Sequence, residues 1–295
     1  MTERMNEIKR EDGAVIKYRL VKREGNRRVI VLLHGLASNS SRWSEFAEKT
    51  GLKETWDILL PDLRGHGSSV YRGTIDMEKW CGDIAAILEK EGYSECVIGG
   101  HCLGANIAVN FSVLYPALTA GLVLLEPLFS RSFTGYMKKL EKHKRILGFA
   151  TALARGINFF GIYRRKFPPL DLRELDNSAR KLIEEAGTPE VLTKRYGSPI
   201  YDLRYIPVAA YMQSLRELLR PLPEIYAADV PKLFIFSSGR LFSESESIDD
   251  LCGILPNSET VMIDSYHWVA TEKPRELMEA IELWCGEKFG QGLQD

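Results

Sequence analysis

The stretch Cys96–Ala108 reads Cys-Val-Ile-Gly-Gly-His-Cys-Leu-Gly-Ala-Asn-Ile-Ala, and it decides the fold. It opens with a short apolar run, closes with a helical pattern and joins the two through Gly-x-Cys-x-Gly at Gly100–Gly104. A strand that turns this sharply into a helix needs small residues beside the turn, because the helix must pass close to the strand. The stretch therefore predicts a strand, a tight elbow at Cys102 and a helix that begins at Leu103.

Similar apolar runs on either side of this stretch predict the other strands of a mostly parallel sheet. The six predicted strands are Val29–Leu33, Ile58–Leu60, Cys96–Ile98, Leu122–Leu125, Leu233–Phe236 and Thr260–Ile263. A helical stripe with spacings of three and four falls between two of them, at Met77, Trp80, Ile84, Ile87 and Leu88. Strand and helix alternate from about residue 13 to 127 and again from about 229, which is typical of α/β folds.

The intervening segment, Phe129–Ile225, breaks the alternation. It contains only helical patterns, at Arg145–Ala154, Glu174–Glu185 and Val208–Leu219. A helical segment inserted between two strands of such a sheet predicts a cap over its carboxyl edge. We therefore expect a core formed by residues 1–127 and 229–295, and a helical cap formed by residues 128–228.

The composition excludes several classes of protein. The 295 residues include 39 Lys plus Arg and 40 Asp plus Glu, a net charge of −1 that does not suggest a nucleic-acid binder. Hydrophobic residues make up 45% and charged residues 27%, as in ordinary globular domains. Five scattered cysteines without a Cys-x-x-Cys pair predict neither a disulfide scaffold nor a thiol metal site. The charged amino terminus lacks the apolar stretch of a secretory signal, so we expect a cytoplasmic protein. The sequence contains no nucleotide-binding or flavin-binding motif, so we expect no cofactor.

Three further motifs accompany the elbow. The first predicted strand ends in His34-Gly-Leu-Ala37, the second in Pro-Asp-Leu-Arg-Gly-His-Gly-Ser-Ser over 61–69, and the last is followed by Ser265-Tyr-His-Trp268. In this order the chain resembles the α/β-hydrolase superfamily, whose members carry HG, PDxRGHG, G-x-S-x-G and a late histidine. The resemblance covers everything except the cap and implies an α/β-hydrolase fold with a cysteine in the nucleophile position.

The same resemblance implies roles for individual residues. Cys102 would be the nucleophile and His267 the base that takes its proton, while the backbone N–H groups of Leu36 and Leu103 would form the oxyanion hole. A helix amino terminus and a neighbouring imidazole both favour a thiolate at Cys102. Two other interpretations remain open: His267 as a surface histidine beside Trp268, and Cys102 as a replacement of a serine.

The acid of the expected triad is missing from its usual place. Many relatives carry an aspartate just after the strand that follows the cap, where this chain reads Phe-Ser-Ser-Gly-Arg over 236–240. Glu126 is the favoured alternative, because a residue at a strand end can orient an imidazole better than one on a loose loop. Glu244, Glu246 and a Cys-His dyad without an acid are the other possibilities.

The remaining histidines have supporting roles in this interpretation. His34 and His66 occupy motif positions that order loops through hydrogen bonds. His101 is assigned to packing, because a neighbour in sequence points differently from Cys102. His143 lies in the basic part of the cap and is expected to be solvated.

A thiol at the elbow predicts acyl chemistry through a thioester acyl-enzyme. Water would resolve that intermediate in a hydrolase of esters, thioesters or lactones, and a second acceptor would resolve it in an acyltransferase. Dienelactone hydrolases and polyhydroxyalkanoate synthases use cysteine at this position, but the long cap does not suit the former and the length does not suit the latter. A non-catalytic, ligand-binding member of the fold is the alternative from a different class.

The cap concentrates positive charge. Residues 131–166 contain ten Lys or Arg and one acid, Glu141, so this segment carries +9 and the remainder −10. An apolar stretch, Ile146–Tyr163, lies between two basic clusters. Three interpretations compete: a solvated basic cap surface, a contact with a membrane surface, and the steering of an anionic acyl substrate.

Overall fold

The computed structural model describes residues 2–25, 28–130, 133–188, 198–223, 229–239 and 255–290. Its strands are β1 (Thr2–Lys9), β2 (Val15–Lys22), β3 (Val29–Leu33), β4 (Asp57–Pro61), β5 (Cys96–His101), β6 (Thr119–Leu125), β7 (Lys232–Ser237) and β8 (Ser258–Ile263). They form one eight-stranded sheet in the order β1-β2-β4-β3-β5-β6-β7-β8. Strands β3 to β8 run parallel to one another, whereas β2 pairs antiparallel with both β1 and β4. The prediction of a mostly parallel α/β sheet is confirmed.

The first two strands were not among the six predicted. In β2 the buried residues alternate with partly exposed ones, as expected for a strand near the sheet edge. β1 is exposed along almost its whole length and is rich in charge. An edge strand of this kind has no apolar run by which it could be recognised.

Helices cover both faces of the sheet. Their bounds are α1 (Ser44–Lys49), α2 (Met77–Glu91), α3 (Leu103–Leu114), α4 (Gly135–Lys142), α5 (Lys144–Phe159), α6 (Leu172–Ala186), α7 (Pro199–Asp202), α8 (Val208–Leu218), α9 (Val269–Glu272) and α10 (Pro274–Phe289). Asp76 caps α2 by accepting a hydrogen bond from the Lys79 N–H, and Gly92 ends it in a left-handed conformation.

Two apolar clusters lie on opposite faces of the sheet, because successive strand residues point to opposite sides. Val31 of β3 packs with α2 and α3 on one face. Leu32 packs with α1 and α10 on the other. The sheet is thus buried on both faces, which accounts for the continuous apolar runs of its central strands.

In its described residues, the segment between β6 and β7 contains α4 to α8, joined by irregular stretches such as 160–171. α5 packs against α8, and Tyr211 and Leu215 of α8 join the same apolar cluster as α3. α5 extends beyond the predicted Arg145–Ala154, and α4 was not predicted. The assignment of 128–228 as a cap remains a prediction. In the described residues no helix is long and apolar enough to cross a membrane.

Candidate active site

The elbow at Cys102 joins β5 to α3 without an intervening loop. Cys102 has φ 53° and ψ −108°, a conformation that is unfavourable for a residue with a side chain. A Cβ at Gly104 would lie 2.4 Å from the Leu33 carbonyl oxygen, and one at Gly100 would lie 2.5 Å from the same atom. Both glycines are therefore required by the close approach of α3 to β3, as the sequence predicts.

His267 follows β8 and lies beside Cys102. Its Nδ1 is 3.2 Å from Oε2 of Glu126, and its ring also hydrogen-bonds the Cys102 side chain. Burial alone would lower the pKa of His267. The hydrogen bonds and charges of Cys102 and Glu126 outweigh burial and raise it to about 9. The alternative of a surface histidine is wrong, because His267 is only 4% exposed.

Glu126 is the first residue after β6, and hydrogen bonds hold both its backbone and its side chain. Its N–H donates to the Ile235 carbonyl at 2.9 Å, and its Oε1 accepts a hydrogen bond from the Ser237 N–H at 2.5 Å. Its φ is 52°, again positive for a residue other than glycine. One carboxylate oxygen is thus held by β7 while the other faces His267. Arg240, Glu244 and Glu246 lie outside the described residues.

The predicted oxyanion-hole residues lie on either side of the elbow. Leu103 is the first residue of α3, and Leu36 lines the same cavity as Cys102. The loop that carries Leu36 packs on the elbow, since a Cβ at Gly35 would be 3.7 Å from the Cys102 Cβ. Among the described residues, the N–H groups of Leu36 and Leu103 have no acceptor.

His101 does more than pack. Its Nε2–H donates to the His267 carbonyl oxygen at 2.9 Å, and the two ring centroids are 4.6 Å apart. Burial, together with the nearby His267 and Arg42, holds the pKa of His101 well below its usual range. A neutral His101 thus fixes the backbone that presents His267, a long-range contact that the sequence does not reveal.

Two other histidines order loops as expected, and one lies elsewhere. His34 donates from Nδ1 to the Gly35 carbonyl at 2.8 Å and accepts the Leu63 N–H at Nε2. Burial lowers the pKa of His34 to about 4 and that of His66 to about 3. His143 is exposed between α4 and α5, away from the site.

A cavity of about 410 Å³ opens above Cys102 and His267. Its walls are mainly apolar and come from the helical segment between β6 and β7, with Leu128, Met137, Leu172, Leu175, Tyr205, Tyr211, Leu215 and Leu218. Two charged residues that the sequence analysis missed, Arg42 and Asp202, also line it. Burial raises the pKa of Asp202 to about 7, although a hydrogen bond with Tyr211 opposes this. No local motif marks either residue.

A second cavity, of about 580 Å³, adjoins the first and shares Ala37, Ser38, Leu170 and Tyr205 with it. Arg72 and Arg165 line this second cavity, but Cys102 and His267 do not. The candidate reacting groups therefore belong to the smaller cavity. In the described parts of the chain no three His, Cys, Asp or Glu side chains are grouped as metal ligands.

Comparison with known proteins identifies the family. The profile of the alpha/beta hydrolase fold matches residues 28–274, which include the elbow, Glu126 and His267. The chain belongs to the α/β-hydrolase fold family.

Similar proteins of this family are enzymes of several kinds. A putative esterase/lipase of Haemophilus influenzae is 22% identical over 92% of this chain and 88% of its own length. A probable alcohol acetyltransferase of Saccharomyces cerevisiae is 28% identical over 85% of this chain and 75% of its own. The solved esterase of Thermogutta terrifontis shares the fold with a TM-score of 0.69 at 22% identity, over 97% of this chain and 99% of that one. The protein is thus an α/β-hydrolase enzyme related to esterases and lipases.

Proposed function

We propose that the protein hydrolyses a carboxylic ester, thioester or lactone through a thioester acyl-enzyme on Cys102. The observation that carries the proposal is the position of the His267 ring, which hydrogen-bonds Cys102 and has Nδ1 3.2 Å from Glu126. All three side chains are buried, and Cys102 and His267 line the 410 Å³ apolar cavity. A nucleophile, a base and a group that orients the base are the parts that covalent acyl chemistry requires.

In the first half of the reaction, Cys102 gives its thiol proton to Nε2 of His267, the ring nitrogen that does not face Glu126. The thiolate attacks the acyl carbon, and the carbonyl oxygen becomes an oxyanion that accepts hydrogen bonds from the N–H groups of Leu36 and Leu103. The bond to the leaving group then breaks, and His267 returns the proton to the departing alcohol or thiol. The acyl group remains on Cys102 as a thioester.

In the second half, His267 takes a proton from water and the hydroxide attacks the thioester. The carbon–sulfur bond breaks, Cys102 leaves as a thiolate and recovers its proton, and the carboxylic acid departs. Glu126 accepts the hydrogen bond from Nδ1 and holds the imidazole in the required tautomer. The hydrogen bonds and charges of Cys102 and Glu126 raise the pKa of His267 to about 9, which supports His267 as the group that accepts the proton of the Cys102 thiol.

Intact-protein mass spectrometry tests the proposal. The protein is exposed to a panel of acyl esters and thioesters, and we expect an acyl adduct that peptide mapping assigns to Cys102. Cys102→Ala abolishes the adduct and the turnover. The matched control is Cys285→Ala, which removes a free thiol whose pKa is raised to about 12 by burial. An adduct on another residue would contradict Cys102 as the nucleophile. Neither adduct nor turnover across the panel would instead support a non-catalytic ligand-binding protein.

Acyl transfer is the second candidate, and it is favoured by the similarity to the probable alcohol acetyltransferase. The same acyl-enzyme would then react with an alcohol rather than with water. Adding alcohols to the reaction distinguishes the two functions. If transfer is the function, the ester product exceeds the free acid at millimolar alcohol; if hydrolysis is, the acid predominates.

We further propose that the acyl substrate is anionic and that the reaction takes place in the cytoplasm. The basic residues of 133–166 supply the positive field for such a substrate. Added salt should then lower kcat/KM for an anionic ester steeply and leave a neutral ester unaffected. The free thiols of Cys81, Cys96 and Cys285 are compatible with a reducing compartment.

A further inference from the structure

One face of α5 is apolar and exposed to solvent. Ile146, Phe149, Leu153 and Ile157 recur at spacings of three and four, so their side chains lie within an arc of about 80° on the helix. Phe160, directly after the helix, continues the row. Phe149 is 74% exposed, Ile146 66% and Leu153 57%. Large side chains are seldom exposed in such a continuous row on a soluble surface, and such patches mark interaction sites.

The exposed face is distinct from the face by which α5 packs on the protein. Leu147 packs against the main apolar cluster, and Thr151 is buried and donates its hydroxyl hydrogen bond to the Leu147 carbonyl. Arg155 fastens the helix to the core through a hydrogen bond to Thr74 at 2.8 Å. The helix therefore already has its intramolecular partner, and the row from Ile146 to Phe160 points away from it.

Positive charge surrounds this apolar face. Nine Lys or Arg residues between 133 and 170 are exposed, and Glu141 is the single acid in that range, which gives a net charge of +8. The nine are Lys138, Lys139, Lys142, Lys144, Arg145, Arg155, Arg164, Arg165 and Lys166. Within the described residues none of them forms an ion pair.

We propose that this face, which we call the α5 apolar face, docks the protein on the surface of an anionic lipid bilayer. A 16-residue helix is about 24 Å long, so it lies in the plane of the interface and does not cross the bilayer. The apolar row enters the headgroup region while the basic residues at both ends contact anionic lipids. A second copy of the chain is a poor occupant, because a symmetric contact would bring two segments of +8 together.

Docking on a bilayer would bring the candidate site close to lipid. Within ten residues of Phe160 the chain reaches Leu170, which lines both cavities, and Arg165 on the way lines the larger one. If the proposed acyl chemistry holds, the arrangement suits an acyl substrate that partitions into the bilayer. The docking itself does not depend on that chemistry.

Vesicle sedimentation with the full chain tests the docking. We expect binding to vesicles of phosphatidylcholine with 20% phosphatidylserine, and at least roughly tenfold weaker binding to phosphatidylcholine alone. Ile146→Ser/Leu153→Ser should weaken binding to the anionic vesicles by about tenfold or more. The matched control is Leu114→Ser/Leu283→Ser, which alters two exposed aliphatic side chains outside both cavities, 48% and 66% exposed, and should leave binding unchanged.

A charge variant gives an independent measurement. Lys142→Glu/Arg145→Glu should weaken binding to anionic vesicles by about a hundredfold, while Arg4→Glu/Lys9→Glu, with the same change in net charge, should have a much smaller effect. The proposal is overturned if the wild type does not bind anionic vesicles, or if the control variants lose binding equally. It is also overturned if the wild type is a dimer in sedimentation velocity that Ile146→Ser/Leu153→Ser dissociates.

Discussion

Cys102 stores backbone strain, and this leads to a prediction about stability. A residue with a side chain at φ 53° and ψ −108° is strained by roughly 1–3 kcal/mol, whereas glycine adopts this conformation freely. Cys102→Gly should therefore have a free energy of unfolding about 1 kcal/mol above that of Cys102→Ala, although both remove the thiol. Urea unfolding of the two variants measures the difference. Equal stabilities, or a more stable alanine variant, would show that the elbow is relaxed.

The charge state of His267 depends on Glu126. Glu126→Gln removes a negative partner at 3.2 Å and should lower the pKa of His267 from about 9 towards its ordinary value. A histidine whose pKa is raised on folding stabilises the native state fully below the unfolded pKa of about 6.5, and this contribution is lost as the pH rises through 9. The free energy of unfolding of the wild type should therefore exceed that of Glu126→Gln by less and less as the pH rises from 6.5 to 9.

Two measurements check this prediction. Histidine NMR follows the titration of His267 directly, with Cys102, His101 and Glu272 as the other titratable groups that act on its ring. Urea unfolding at pH 6 and pH 9.5 measures the gap in the free energy of unfolding between the wild type and Glu126→Gln. An unchanged gap, together with an unchanged titration midpoint, would mean that Glu126 does not act on His267.

At the scale of elements, two helix glycines with opposite surroundings give a matched pair of substitutions. A Cβ at Gly104 would lie 2.4 Å from the Leu33 carbonyl oxygen, whereas one at Gly148 in α5 would have nothing within 4 Å. Gly104→Ala should destabilise the protein by about 1–3 kcal/mol or more, because α3 must move away from β3. Gly148→Ala should stabilise it by about 0.5–1 kcal/mol through helix propensity.

Thermal unfolding of both glycine variants checks the prediction. Gly104→Ala should also lower turnover, since α3 carries the Leu103 N–H, whereas Gly148→Ala should leave turnover unchanged. Destabilisation by Gly148→Ala would mean that α5 does not persist as a helix in solution. A neutral Gly104→Ala would mean that the contact with β3 is looser than described.

The sequence predicted those elements whose burial leaves an apolar signature. The six predicted strands lie within the observed bounds of β3 to β8, and in β3 to β7 burial on both faces produces continuous apolar runs. β1 escaped prediction because an exposed edge strand carries charges, and α4 because its short helix is mostly polar.

The candidate site was predictable only where a local motif carried it. Cys102 and Gly104 belong to one five-residue motif, and Glu126 could be favoured from its place at a strand end. The contact of His101 with His267, 166 residues away, and the entry of Arg42 and Asp202 into the cavity depend on tertiary packing. Periodicity cannot reveal such contacts. The count of charges did identify the basic segment 131–166 and the apolar stretch within it, but not which side of α5 faces the solvent.

At the scale of the whole molecule, a buried ion pair joins three distant parts of the chain. Nη1 of Arg42, which precedes α1, donates to Asp176 of α6 at 2.6 and 2.7 Å and to the Thr271 hydroxyl of α9 at 2.5 Å. The side chains of Arg42 and Asp176 are 7% and 6% exposed. The pair therefore connects the helical segment between β6 and β7 to the elements that surround Cys102 and His267.

Breaking this pair should loosen the helical segment from the rest of the molecule. Asp176→Leu leaves the Arg42 charge buried without its partner and should cost about 3–5 kcal/mol of the free energy of unfolding. Limited proteolysis should then cut faster between 128 and 228. In Arg42→Met/Asp176→Leu both charges are gone, so most of the stability should return.

Glu279→Leu, which breaks the exposed pair of Glu279 with Arg275, serves as the control and should change stability by less than about 0.5 kcal/mol. If Asp176→Leu costs no more than this control, or the double variant is no more stable than the single one, the ion pair does not hold the helical segment in place.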